Sequence, residues 1–276
     1  MAIETQIQWC DSTNNVQMGC EGCELVKHPD HKPSCYAKVM TDRYAGRKGW
    51  PSAFEKPALF LDRIPKMINW PDLTGTNRPA KPWLNGQPRV IFLNDMGDTF
   101  TKGLPENWFA EVLPQLAASP HLYLVLTKWP QRFAHFSAKY PLPENVCPGT
   151  SVTSEKTSFR VRALLEVQAE GFKWVSAEPL WSGLKYDAAF AGVDWVIFGG
   201  ESGSVAKPCD IEWIRTGLTF CKDNQVPAFV KQLGARPMLN GERLSLKDGH
   251  GGDWEEWPED LRIREFPRKA VTFDQR

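Results

Sequence analysis

With 276 residues the chain is long enough for one large α/β barrel or two small domains, and 33 Lys and Arg set against 33 Asp and Glu leave no global basic field. Nucleic-acid binding is therefore not announced by charge and stays open only as a local patch. No stretch approaches the roughly 18 continuous apolar residues of a membrane span, and residues 1–10 lack the basic and apolar regions of a signal peptide.

Of the seven cysteines, Cys10, Cys20, Cys23 and Cys35 crowd toward the N-terminus; an odd number so placed does not look like a disulfide framework. No partner membrane and a cytoplasmic location are expected.

In chain order, residues 5–10 (TQIQWC) read as a short first strand, and 11–18 as polar and turn-rich. Residues 19–37 (GCEGCELVKHPDHKPSCYA) follow, and the rest of the chain is expected to be organised around them. Two residues separate Cys20 from Cys23, so one tight turn can aim both sulfurs at one centre. Cys35 sits at the start of a predicted helix that ends at Gly46. Two metal readings compete. A fourth ligand, His28 or His31, would close a structural zinc site. Three cysteines alone would leave one iron of a 4Fe–4S cluster open. Residues 51–88 are strewn with proline and read mostly as loop, with one helix near 58–69.

From residue 89 a rhythm sets in. Short apolar runs at 89–95, 121–128, 145–152, 173–180, 194–202 and 227–234 have the character of buried parallel strands. Between them lie helical patterns over Trp108, Phe109, Val112, Leu113 and Leu116 (with Pro114 inside), then 131–138, 158–171 and 211–225. Alternating strands and helices predict an α/β fold with a parallel β/α barrel, complete or partial; an open doubly wound sheet is the runner-up. Residues 1–235 would form the barrel with its N-terminal cysteine loop. Residues 236–276 would be a C-terminal extension packed on it, mostly loop with a small hairpin.

Nearly every predicted strand ends in residues able to do chemistry: Asn94, Asp95 and Asp98; Thr127 and Lys128; Ser151 and Thr153; Glu178; Glu201 and Ser202; Lys231 and Gln232. In barrels and open α/β sheets this edge bears the site. Taken singly each has a structural explanation, such as a cap or a surface ion pair. FGGESG (198–203) is a glycine-rich strand end without the full dinucleotide fingerprint.

The pieces IQWCDSTNN, GCEGC, CYA, FLNDMGDTF, LTKWPQRF, NVCPGTSV, AEPL, DWVIFGGESG and FVKQLG, in this order, carry a resemblance. The chain resembles a bacterial and phage three-cysteine protein family, similar in pattern to radical S-adenosylmethionine (radical SAM) enzymes and to their spore photoproduct lyase branch. The resemblance implies a radical SAM type of TIM-like barrel, with Cys20, Cys23 and Cys35 as metal ligands of a 4Fe–4S cluster. S-adenosyl-L-methionine would be the second cofactor, cleaved to a 5′-deoxyadenosyl radical, with an external electron donor as partner. Asp98, Lys128, Glu178 and Lys231 are then the catalytic candidates, and Asn94, Asp95, Ser151, Gly199, Gly200 and Glu201 the cofactor-binding ones. The substrate implied is a small molecule or nucleotide, a nucleobase free or within nucleic acid; phage DNA modification is one setting.

Two departures stand against the pattern. The usual spacing is CxxxCxxC, whereas here CxxC is followed by eleven residues and then Cys35. Gly199-Gly200-Glu201 also lies after a much later strand than the GGE of radical SAM enzymes. The alternative is a zinc-stabilised barrel that binds a partner or nucleic acid without catalysis.

Overall fold

The computed structural model describes residues 2–28, 33–105 and 107–267. Seven strands form one sheet: β1 (Ser12–Asn14), β2 (Val90–Leu93), β3 (Leu122–Thr127), β4 (Val146–Ser151), β5 (Trp174–Ala177), β6 (Trp195–Gly199) and β7 (Ala228–Gln232). They lie side by side in chain order, from β1 at one edge to β7 at the other. The strands are parallel: Ser12 stands opposite Ile91, Val90 opposite Leu122, Thr150 opposite Val175 and Ala228 opposite Val196. A doubly wound sheet reverses its strand order part-way. This one never does, so its order matches a partial β/α barrel.

The apolar runs form strands because both faces of a parallel sheet are covered. Every residue of β2 and of β6 is buried. The first strand departs from the sequence expectation. It is Ser12–Asn14, and residues 5–10 form turns. Polar side chains hid it. Ser12 Oγ donates to the Ile3 carbonyl at 2.6 Å, and Arg89 donates to Ser12 Oγ at 3.0 Å, so this buried polar strand is hydrogen-bonded where apolar residues would ordinarily stand.

The chain forms two compact units, residues 2–148 with 167–171, and residues 149–166 with 172–267. The first holds helices α1 (Glu24–Lys27), α2 (Tyr36–Tyr44), α3 (Ile64–Ile68), α4 (Trp108–Ala117) and α5 (Pro130–Lys139). Its core includes Phe109, Leu116, Tyr123, Leu124 and Phe133. The second holds α6 (Phe159–Leu165), α7 (Ala188–Ala191) and α8 (Ile211–Asp223), with Trp174, Trp195, Phe198 and Phe229 among its buried side chains. It also carries the expected small hairpin, Pro237–Leu239 against Glu242–Arg243.

The helix expected over 158–171 stops at Leu165. Residues beyond it bond Leu142 instead: Leu142 N–H donates to the Gln168 carbonyl at 3.0 Å, and Glu170 N–H to the Leu142 carbonyl at 3.2 Å. A backbone pairing has replaced the last helical turns. No helix among the described residues is long and apolar enough to cross a membrane.

Candidate functional site

The cysteine loop is stitched to the exit of β2. Gly19 N–H donates to the Met96 carbonyl at 3.0 Å, and Cys20 N–H to the Phe54 carbonyl at 2.8 Å. Gly19 must be glycine. Its φ is +83°, and a Cβ there would lie 2.7 Å from the Phe54 carbonyl oxygen. Glu21 N–H then donates to Thr101 Oγ1 at 2.9 Å, and the Glu21 carboxylate pairs with Arg132 at 2.5 Å. The C-E-G-C turn is thus held from the residues after β2 and from α5.

Within this frame Cys20 is buried against Met18, Ala37, Phe54 and Met96, with Cys35 at the margin of the same cluster. The Cys20 sulfur accepts the Gly22 N–H at 3.3 Å. Cys23 precedes α1, and Cys35 occupies the N-cap of α2. Burial pushes the Cys20 thiol up to about 12, with the Asp98 carboxylate adding to the rise. Burial likewise pushes Cys23 up to about 11, while Lys128 pulls it down. All three cysteines are free of disulfides.

Thiols are the donors a soft metal takes, and Cys20 already accepts an amide hydrogen bond. As they stand, no three His, Cys, Asp or Glu side chains among the described residues are grouped so as to hold a metal ion. His28 is the C-cap of α1, and His31 lies outside the described residues.

The strand-end residues of this unit surround the loop. Asp98 is buried and accepts three hydrogen bonds, from Phe100 N–H at 3.0 Å, Thr127 Oγ1 at 2.7 Å and Lys128 N–H at 2.8 Å. Burial still raises its pKa above the usual carboxylate value. Asp95 accepts from Asn15 Nδ2 at 2.6 Å and from the Tyr36 hydroxyl at 3.0 Å, and burial raises its pKa also. Tyr36 follows Cys35, so Asp95 anchors the start of α2. Asn94 accepts from Gln17 N–H at 2.8 Å and donates to Thr99 Oγ1 at 2.9 Å; both amide ends serve the local frame.

The second unit carries the remaining candidates. Lys231 Nζ lies 2.6 Å from Glu178 Oε1, and the pair is largely buried at 25% and 14% side-chain exposure. A lysine and a carboxylate at this distance form an ion pair. Glu201 Oε2 accepts from Trp181 Nε1 at 3.1 Å and from Lys207 N–H at 2.8 Å, and Lys207 Nζ lies 3.7 Å over the Trp181 ring. Gly200 is required by close backbone approach, since a Cβ would fall 2.2 Å from the Leu233 carbonyl oxygen. Ser151 is buried, and its carbonyl accepts from Arg160 at 3.0 Å. At Gly199 a Cβ would sit 3.2 Å from the Glu178 side chain, so this glycine makes room for the Glu178–Lys231 pair.

The spacing of motifs gave no sign of a cavity of about 840 Å3 in the first unit, between the 99–107 segment, the start of α4, and α5. Its residues are scattered through loop and helix patterns, and Thr101 and Arg132, through Glu21, tie it to the cysteine loop.

A family model described as "Protein of unknown function (DUF5131)" matches residues 4–258. The chain belongs to the DUF5131 family. Neither the curated proteins nor the solved structures hold a match to this DUF5131 chain. The family's description assigns no chemistry, so function is argued from the residues themselves.

Proposed function

We propose that this DUF5131 protein is a radical SAM-like iron–sulfur enzyme acting on a nucleobase, nucleotide or nucleic-acid modification. Cys20, Cys23 and Cys35 would hold the 4Fe–4S cluster. The observation that carries the reading is that Cys20 and Cys35 border one apolar cluster, with Cys23 one turn from Cys20, on a loop tied by backbone hydrogen bonds to the exit of β2. Such a cluster, when bound, supplies one electron to S-adenosyl-L-methionine and so a carbon radical able to abstract hydrogen.

The chain's own residues have separate tasks. The Gly22 N–H steadies the Cys20 sulfur, as amide donors do for metal-bound thiolates. Lys128 offsets negative charge gathered at Cys23. Thr127 and two backbone N–H groups fix the Asp98 carboxyl against Cys20, and the apolar cluster of Met18, Phe54 and Met96 excludes water. Glu178 and Lys231 are the acid–base pair proposed for the substrate.

Anaerobic, dithionite-reduced protein given S-adenosyl-L-methionine should release 5′-deoxyadenosine. Cys23→Ser should abolish the release, and His28→Ala with His31→Ala should leave it unchanged. Loss of bound metal on removing the histidines would instead establish a closed zinc site and overturn the radical reading.

A further inference from the structure

We infer that the cavity between the 99–107 segment and α5 binds a nucleotide, through its aromatic base and its phosphate. Three observations carry the assignment. The first is size: about 840 Å3 falls within the roughly 300–1,000 Å3 of small-molecule sites.

The second is the wall. Phe100, Leu104, Trp108, Phe109, Phe136 and Tyr140 give it a mostly apolar, ring-rich lining. The rings brace one another and keep the cavity open. Phe100 stacks on Phe133 at 4.1 Å between centroids, and Phe136 contacts Phe100 at 5.5 Å, Phe109 at 5.7 Å and Tyr140 at 5.2 Å. A planar base finds a stacking face there, because every base has a π face.

The third is charge. Lys102, Arg132, His135 and Lys139 line the cavity. Arg132 pairs with Glu21 at 2.5 Å. An apolar ring-lined space bordered by Lys102, Arg132 and Lys139 suits a ligand that is flat at one end and anionic at the other.

The cavity is also joined to the cysteine loop. Thr101 and Arg132 both line it and both hold Glu21, the residue between Cys20 and Gly22. That this nucleotide is the substrate rests on the proposed cluster enzyme; its binding does not.

The test is calorimetric titration of AMP, adenosine and inorganic phosphate into the full chain. AMP should bind at least tenfold more tightly than adenosine or phosphate alone. Reversing the exposed charges, Lys102→Glu with Lys139→Glu, should weaken AMP at least tenfold without lowering the melting temperature. Phe136→Ala should weaken AMP and adenosine alike. Cys20→Ala should leave AMP binding intact, which separates this site from the cysteine loop. The inference is overturned if AMP does not bind, if phosphate binds as well as AMP, or if charge reversal changes nothing. It is equally overturned if Cys20→Ala abolishes binding while charge reversal does not, because the nucleotide then sits at the cysteines. Iron-free protein that binds AMP as expected would defeat the cluster reading and leave this one standing.

Discussion

Replacing Gly19 with alanine should unsettle the cysteine loop more than its size suggests. At φ +83° an alanine costs roughly 1–2 kcal/mol of conformational energy. Its Cβ would also meet two backbone atoms, the Phe54 oxygen at 2.7 Å and Pro57 Cα at 3.1 Å, neither of which can swing aside. Clearing them stretches the hydrogen bonds from Cys20 N–H to Phe54 and from Gly19 N–H to Met96. Each is worth about 1 kcal/mol, so the total loss is about 3–4 kcal/mol. For a chain of this size that lowers Tm by roughly 6–16 °C.

Gly46→Ala is the control. Its φ is +73°, and nothing lies within 4 Å of a Cβ there, so only the conformational cost applies, roughly 2–8 °C. Scanning fluorimetry compares the two variants, and thiol titration should find Cys20, 7% exposed in the native chain, newly reactive in Gly19→Ala. Equal Tm losses in the two variants, with Cys20 still protected, would refute the claim that backbone packing fixes this loop.

Three further outcomes follow from the same geometry. Lys231→Met strands the largely buried Glu178 carboxylate and should cost about 1–2 kcal/mol, less than the ~3–5 kcal/mol of a fully buried pair; adding Glu178→Leu should restore much of it in urea titrations. Burial holds His121 below its ordinary pKa of 6.5, so the unfolded chain takes up the proton first as pH falls. Wild-type stability should therefore decline as pH drops below about 6.5, by up to ~1.4 kcal/mol per pH unit, and His121→Gln should flatten that slope. Arg215→Ala removes ion pairs to Glu212 and Asp260, whose side chains are 53% and 54% exposed, and should cost under ~1 kcal/mol despite two short contacts.

The sheet was legible from sequence wherever burial on both faces made a strand continuously apolar, as in VIFL at 90–93 and WVIFG at 195–199. It was illegible at Ser12–Asn14, where buried polar side chains form the strand and only tertiary partners reveal it. The cysteine spacing singled out Cys20, Cys23 and Cys35; Cys20 and Cys35 border one apolar cluster, but no three metal-ligating side chains among the described residues are grouped so as to hold an ion. Side-chain identity alone did not reveal that Asn94 spends both amide ends on the frame, or that Gly200 answers a carbonyl approach. The cavity was hidden for a different reason. Trp108, Phe109 and Phe136 sit at ordinary amphipathic positions of α4 and α5, Phe100 and Tyr140 lie outside the helices, and a space between elements has no sequence signature.

The central claim is that Cys20, Cys23 and Cys35 hold an iron–sulfur cluster. Metal and sulfide analysis of anaerobically purified protein, read with its visible spectrum, addresses it most directly. The account predicts brown protein with broad absorbance near ~400 nm, about four irons and four sulfides per chain for a 4Fe–4S centre, and loss of colour in any of the three cysteine variants. Colourless protein carrying one tightly bound zinc and no sulfide would contradict it.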